Sequence, residues 1–319
     1  DHRPAGRDPR VFSRVYTDPT DKRNPMTQKP KTVSLVLGSG GARGHAHIGV
    51  IRALNEMGFE VRNISGCSMG SVIGGIYAAN KLDTYTDWAF QLTRGDVVKL
   101  LDFSFSLRSI FKGERIFDVL KDLVGDRKIE ELDRRFTAVA TSLDDEEEVW
   151  INSGSLFTAM RSSTAVPGVF SPVQLNGHTL VDGGLVNPLP IAPTLNDSTD
   201  LTIAVNLAGT RQDYTPPEDT NEDEKKNSYR EKIAEYLNAL REGDDSGSGD
   251  GDFDAADLLV KSLDIMQGAI ARFKLAAYAP DKTIDIPRNA CSFFEFHRAE
   301  EMANLGYEEA CKVLENLRD

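Results

Sequence analysis

Two short stretches of the chain hold residue types and spacings that could carry out chemistry. "GCSMG", Gly66 to Gly70, has the spacing G-x-S-x-G around Ser68. A serine hydroxyl becomes a nucleophile only when a base takes its proton, and the turn that displays it must let backbone and substrate come close. Gly66 and Gly70 would permit that approach. The plainer reading is an ordinary glycine turn with Ser68 as a helix N-cap. Upstream, "GSGGARG" (38–44) is a glycine loop that can present unpaired backbone N–H groups to an anion. That anion is either a bound phosphate or an oxyanion that exists only during a reaction.

The phosphate reading fits the residues poorly. A phosphate-binding P-loop needs G-x-x-x-x-G-K-[ST], and no lysine followed by Ser or Thr stands here. A dinucleotide G-x-G-x-x-G begun at Gly38 meets Arg43 where its last glycine belongs. Begun at Ser39, it has the last two glycines but lacks the first, and "VRNIS" offers no acidic partner for a ribose.

A base for Ser68 must come from elsewhere. The histidines are His2, His45, His47, His178 and His297. Ser68, Asp182 and His297 follow the chain order of an α/β-hydrolase triad. Asp182, in "TLVDGGLVNPLP", offers a second solution. A carboxylate held in a partly apolar site has a raised pKa and can serve as the base itself, with Gly183 and Gly184 allowing close approach. A plain Asp-Gly turn is the alternative for that stretch, and on these residues alone triad and carboxylate base both stand.

These candidates need a scaffold, and the hydrophobic pattern supplies one. "TVSLVL" (32–37) reads as a strand, followed by a helix from about Ala42 to Met57 that ends at Gly58. "VRNIS" (61–65) is a second strand, then a sharp turn at 66–70 and a helix to about Asn80. Strand, helix, strand, helix in so short a span means a parallel βαβ unit. Residues 83–132 read as several helices, and further strands are expected at 136–143, 147–153, 178–184, 201–207 and 282–287. The alternation favours one mixed sheet with helices on both faces. Leu259, Leu263, Met266, Ile270, Phe273 and Ala277 recur at helical spacing, and the favoured reading of that stripe is core packing over lipid binding. A last helix is expected from about Ala299 to Leu317.

The 319 residues carry a net charge of −13, which argues against nucleic acid as a partner. Residues 213–257 hold 15 acidic and 5 basic side chains, net −10, so the acidity belongs to one segment rather than to the rest of the chain. That segment is read as a mobile insert containing one short helix, "SYREKIAEYLNAL". Residues 1–31, with five prolines and a net charge of +4, are read as an irregular basic arm. Cys67, Cys291 and Cys311 make no disulfide framework or zinc set, and "DDSGSGDGDFDAAD" lacks the glutamate that an EF-hand loop needs, so no metal is expected. No run reaches the roughly 20 apolar residues of a membrane span, and the chain is expected to be soluble, either cytoplasmic or peripheral to a membrane. It begins at Asp1 without a methionine, so any export or lipidation signal would have been lost from that end.

At this point the motifs carry a resemblance. "GSGGARG" followed by "HIGVIRAL", then "GCSMGS", "SSTAVPGVFSPV" and "LVDGGLVNPLP", resemble the patatin-like phospholipase family, in particular its bacterial and neuropathy-target-esterase-like branch. The likeness spans about 31–208 and resumes from 258, where "SLDIMQ" and "FHRAEEMANLGYEEA" are similar too. It implies a three-layer α/β/α fold with a mostly parallel sheet, and a hydrolase domain at 32–319 interrupted by the 213–257 insert. It implies a Ser68–Asp182 dyad without histidine, and an oxyanion hole at Gly40, Gly41 and Ala42 braced by Arg43. The N–H of Met69, just after Ser68, is a further candidate donor. The implied activity is lipid degradation through an acyl-enzyme, on phospholipid or lysophospholipid at a membrane surface or micelle, without a cofactor. Ser39 stands where the family's motif usually begins with glycine. The alternatives are an α/β-hydrolase using His297, or a non-catalytic lipid- or nucleotide-binding module.

Overall fold

The computed structural model describes residues 29–317 apart from 101–102, 107–108, 112–113 and 213–254; side chains are also left undescribed at 98, 103–111, 114 and 255–257. Most of the basic arm and nearly all of the acidic insert, including the short helix expected there, therefore lie outside the described residues.

β1, Thr32–Leu37, is buried on both faces, as a central parallel strand must be. Val33, Leu35 and Leu37 point into the main core with the helices Ala46–Glu56 (α1) and Met69–Ala78 (α2). Val36 points the other way, to Leu189, Ile191, Ala204 and Ala271. This period-2 alternation makes the sheet the middle of three layers. Beside β1 lie β2 (Glu60–Cys67) on one edge and the strand Leu201–Gly209 on the other, both parallel to it.

The first helix begins later than its periodicity predicts. Gly41–His45 is a 3-10 turn, and the α-helix starts at Ala46. Residues 83–132 are not all helical. Leu82–Ala89 (α3), Arg94–Leu100 (α4) and Glu114–Val124 (α5) are, but Phe103–Ser106 (β3) and Ser109–Phe111 (β4) pair with Gly168–Phe170 (β7) in a small separate sheet. Three- and four-residue strands carry too little alternation to read from sequence.

The decisive register belongs to β5, Arg135–Ser142. Along one edge it pairs antiparallel with Glu147–Ile151 (β6), from Ala138 to Ser142. Along the other, parallel β2 ends with Cys67 opposite Val139. Antiparallel His178–Asp182 (β9) descends the same edge and ends with Asp182 opposite Ala140. Val173–Leu175 (β8) pairs outside β9. On the far side of the sheet Leu201–Gly209 (β10) pairs with Lys282–Pro287 (β11). Leu156–Ser163 (α6) is N-capped by Ser155, which accepts from the Thr158 N–H at 3.0 Å. Ala255–Tyr278 (α7) covers the second face through Ala271 and Leu275, and Ala299–Leu314 (α8) packs along α1.

Where α2 leaves β2, a Cβ on Gly70 would sit 2.1 Å from the carbonyl oxygen of Leu37. No rotamer relieves a backbone clash, so Gly70→Ala should lower stability by about 1–3 kcal/mol, read from the urea midpoint at unchanged m-value. A variant as stable as the wild type would show that β1 and α2 can separate there.

Candidate active site

Ser68 stands between β2 and α2 with φ 53° and ψ −124°, a conformation costing about 1–3 kcal/mol for a non-glycine residue. It is the sharp elbow that G-x-S-x-G predicts. Its backbone N–H donates to Ser163 Oγ at 3.0 Å, and that hydroxyl donates to Val139 O at 2.6 Å, pinning the turn to β5. On the other side of the turn Ser71 Oγ donates to Ser68 O at 2.7 Å. Gly66 lies within β2 against Gly70, where a Cβ would come within 2.6 Å of the Gly70 carbonyl oxygen.

The head-to-head ends of β2 and β9 bring Asp182 to Ser68. Asp182 is 1% exposed. Its N–H donates to Ala165 O at 3.0 Å, and its Oδ1 accepts from the Gly184 N–H at 2.6 Å. Gly183 is pressed against Val139, where a Cβ would lie 2.2 Å from the carbonyl oxygen. Oδ2 is buried and has no hydrogen-bond partner. The Ser68 side chain is near enough to pull the carboxyl pKa down, yet no bond of strict geometry joins it to either oxygen. A loose contact of this kind is common in a site without substrate. Burial outweighs the Ser68 and Gly184 contacts and raises the Asp182 pKa from 3.8 to about 6.

No histidine joins the pair. His297 Nε2 accepts from Arg94 Nε at 3.1 Å and bonds to neither Ser68 nor Asp182, so the triad arrangement is not formed. His45 and His47 are fully buried; burial lowers both to a pKa of about 4 and keeps them neutral. His45 is held between Ala42 O and Tyr85 OH, and His47 bonds to Gly38 O at 2.9 Å. His178 pairs with Asp145 at the surface.

The glycine loop lies across the elbow. Gly41, at φ +56°, is in left-handed backbone, and a Cβ there would come within 2.7 Å of Phe293. The expectation that Ala42 donates to an oxyanion is corrected here. Its N–H donates to Phe293 O at 2.9 Å and is not available. The N–H groups of Gly40, Gly41 and Met69 have no backbone acceptor among the described residues. They are the donors that the turn leaves over.

Arg43 ties the loop to residues far along the chain. Its Nη1 donates to Arg288 O at 3.1 Å and Cys291 O at 3.2 Å, and its Nη2 bonds to Asp264 on α7. Asp264 also accepts from Arg288 Nη2 at 3.2 Å. One turn on, Gln267 Oε1 accepts from Ser39 Oγ at 3.0 Å, and its side chain lies against Gly184. Sequence reasoning missed Ser163, Asp264 and Gln267 as site residues. The only signal was their presence in "SSTAVPG" and "SLDIMQ", stretches noted for likeness without a role.

Ser68 opens onto a narrow apolar cleft. Met69, Tyr85, Trp88, Phe117, Val166 and Phe296 line it, so an apolar chain is the chemistry that it can hold.

The profile of patatin-like phospholipases matches residues 35–195, a span that includes the loop, the elbow and Asp182. The chain belongs to the patatin-like phospholipase family. An uncharacterized NTE family protein of Mycobacterium tuberculosis is 38% identical over 338 residues, covering 89% of this chain and 91% of that one. Neuropathy target esterase sws of Drosophila melanogaster is 34% identical over 166 residues, 50% of this chain but only 12% of that protein. The solved structure of VipD from Legionella pneumophila aligns at a TM-score of 0.43 and 15% identity over 91% of this chain and 67% of that one, too distant to argue from. The family is one of lipid acyl hydrolases, and hydrolysis of lipid esters is the activity at that level. No helix among the described residues is long and apolar enough to cross a membrane.

Two outcomes follow. The folded Asp182 pKa, about 6, lies above the unfolded 3.8, so this group's stabilising contribution is complete below pH 3.8 and is lost as pH rises through 6. Asp182→Asn should therefore raise stability at pH 8 by on the order of 1–3 kcal/mol and by almost nothing at pH 4, measured by urea unfolding. No gain at pH 8 would mean that the carboxylate is solvated. Asp264→Asn should loosen the loop and lower kcat about tenfold with KM nearly unchanged, since the loop is asked to act in the transition state.

Proposed function

We propose that this chain is a serine lipid acyl hydrolase acting on carboxylic esters of phospholipids or lysophospholipids at a membrane surface or micelle. The observation that carries the reading is a buried carboxylate, one oxygen unpartnered, beside a serine on a strained elbow that opens into an apolar cleft. In this reading the hydrolase domain is 32–319, with 213–257 as an insert, and no cofactor takes part.

Ser68 Oγ attacks the ester carbonyl carbon while its proton passes to Asp182 Oδ2. With a pKa of about 6, that group is ionised at neutral pH and basic enough to accept. The carbonyl oxygen becomes an oxyanion facing the Gly40, Gly41 and Met69 N–H groups, each such donor contributing about 3 kcal/mol where measured elsewhere. Collapse of the tetrahedral species expels the alcohol, which leaves with the proton from Asp182, and the acyl group remains on Ser68. Water, deprotonated by Asp182, then attacks the acyl-enzyme, and collapse releases the fatty acid while Asp182 returns the proton to the departing Ser68 oxygen. The acyl chain lies along Trp88 and Phe117 throughout, because the cleft offers it no polar competitor.

The test uses soluble p-nitrophenyl esters, lysophospholipid micelles and a fluorophosphonate probe. Ser68→Ala should lose about a thousandfold or more in kcat and escape the probe, Asp182→Asn should fall about as far, and His297→Ala should keep most activity. The wild-type kcat/KM should fall about tenfold per pH unit below roughly pH 6 and level off above it. An active Asp182→Asn enzyme with a dead His297→Ala enzyme would restore the triad reading. A wild type without activity on any ester would favour a binding module.

A further inference from the structure

The stripe at Leu259, Leu263, Met266, Ile270, Phe273 and Ala277, read from sequence as core packing, enters the core only in part: Leu263 packs against Val97, Val166 and Val169, while Leu259, Met266 and Phe273 stay exposed. The inward face of α7 is set instead by Asp264, Gln267, Ala271 and Lys274, which meet Arg43, Ser39, the second sheet face and Glu148. Four polar or small inward positions fix the helix rotation and turn larger apolar residues outward. Leu258, Ile265, Met266 and Phe273 are 56%, 61%, 51% and 76% exposed. They repeat at helical spacing along one outer face, an apolar surface of the kind that marks an interaction site.

We infer that the outer face of α7 docks on a lipid surface, with Ile265 and Phe273 inserted among the lipids. The inference rests on the lipid-hydrolase reading above.

Two observations select lipid over a protein partner. The first is continuity with the cleft. On the same helix Val260 and Leu263 pack with Val166 and Phe293, and these two line the cleft at Ser68. A lipid lying against the outer stripe would have its acyl chain beside the opening where the ester must enter. The second is charge. Between Leu258 and Pro280 the charged residues are Lys261, Asp264, Arg272 and Lys274. Asp264 is turned inward between two arginines and Lys274 pairs with Glu148, while Lys261 and Arg272 are exposed together along one side of the apolar stripe. In a chain of net charge −13, the exposed positions of this helix over those residues carry only apolar or basic side chains. That is the composition of an element lying in the plane of an anionic membrane surface. Because Asp264 and Gln267 hold Arg43 and Ser39, a surface that holds α7 from outside also steadies the oxyanion loop inside.

The experiment is flotation of the full chain with vesicles of equimolar phosphatidylcholine and phosphatidylglycerol, with light scattering for mass and a soluble short-chain ester for the catalytic centre. The wild type should float. Ile265→Glu combined with Phe273→Glu should cut the bound fraction about tenfold or more, and the serine pair in place of the glutamates should reduce it less. Leu195→Glu, at an exposed leucine on the loop before β10, should float like the wild type. Soluble-ester turnover of the double variant should stay within about twofold of the wild type, since that substrate needs no surface. A double variant that floats unimpaired overturns the docking. So does a wild type that stays at the bottom, and so does a wild-type dimer that the double variant splits without any loss of flotation. Failure of the hydrolase reading looks different: flotation is intact and no ester is cleaved.

Discussion

Two strands running toward each other end on consecutive residues of β5. Cys67 stands opposite Val139 and Asp182 opposite Ala140, and the rest of the site depends on that meeting. The residue after Cys67 has to leave the edge because β9 occupies it, which is why Ser68 turns sharply at φ 53°. The chain after Asp182 has to leave for the same reason, through a 3-10 turn whose Gly184 N–H caps the carboxylate. Each strand stops the other, and Ser68 and Asp182 stand on the two sides of the stop.

That arrangement leaves a charge where water does not reach. A buried carboxylate is tolerated when its oxygens are satisfied, and here only Oδ1 is. Burial raises the pKa and gives the group its basicity, so the same local instability that weakens the fold at neutral pH suits the residue to proton transfer. Neighbouring donors relieve it only in part. Cys67, also buried, is pushed up in pKa and stays a thiol, and the histidines in this part of the core are neutral and engaged elsewhere.

The glycine loop is held by distant residues. Phe293 O takes the Ala42 N–H, Arg43 ties the loop to 288, 291 and α7, and Gln267 meets Ser39. Glycine gives the loop its shape at Gly41, but long side chains from the second layer keep that shape fixed. α7 is therefore more than a cover for the sheet. Its inner face holds Ser39 and Arg43 of the glycine loop, and its outer face carries exposed apolar residues.

How much of this was legible in the sequence follows from the range of each interaction. The strand–elbow–helix unit around Ser68, the glycine loop and the mixed sheet were readable, because turn chemistry and hydrophobic periodicity act between near neighbours. The small β3–β4–β7 sheet was not, since its strands are too short to show a period. Motif order brought Asp182 and His297 forward together, and only the β5 register brought one to Ser68 while Arg94 held the other. The sequence likewise counted Ala42 among the donors, since nothing near it in the chain shows that Phe293 accepts its N–H. It also showed an apolar stripe on α7 without its direction, because periodicity gives a helix a face and not an orientation. Asp264 and Gln267 supplied the orientation through partners hundreds of residues away in the chain, and contacts at that separation exist only once the layers have packed.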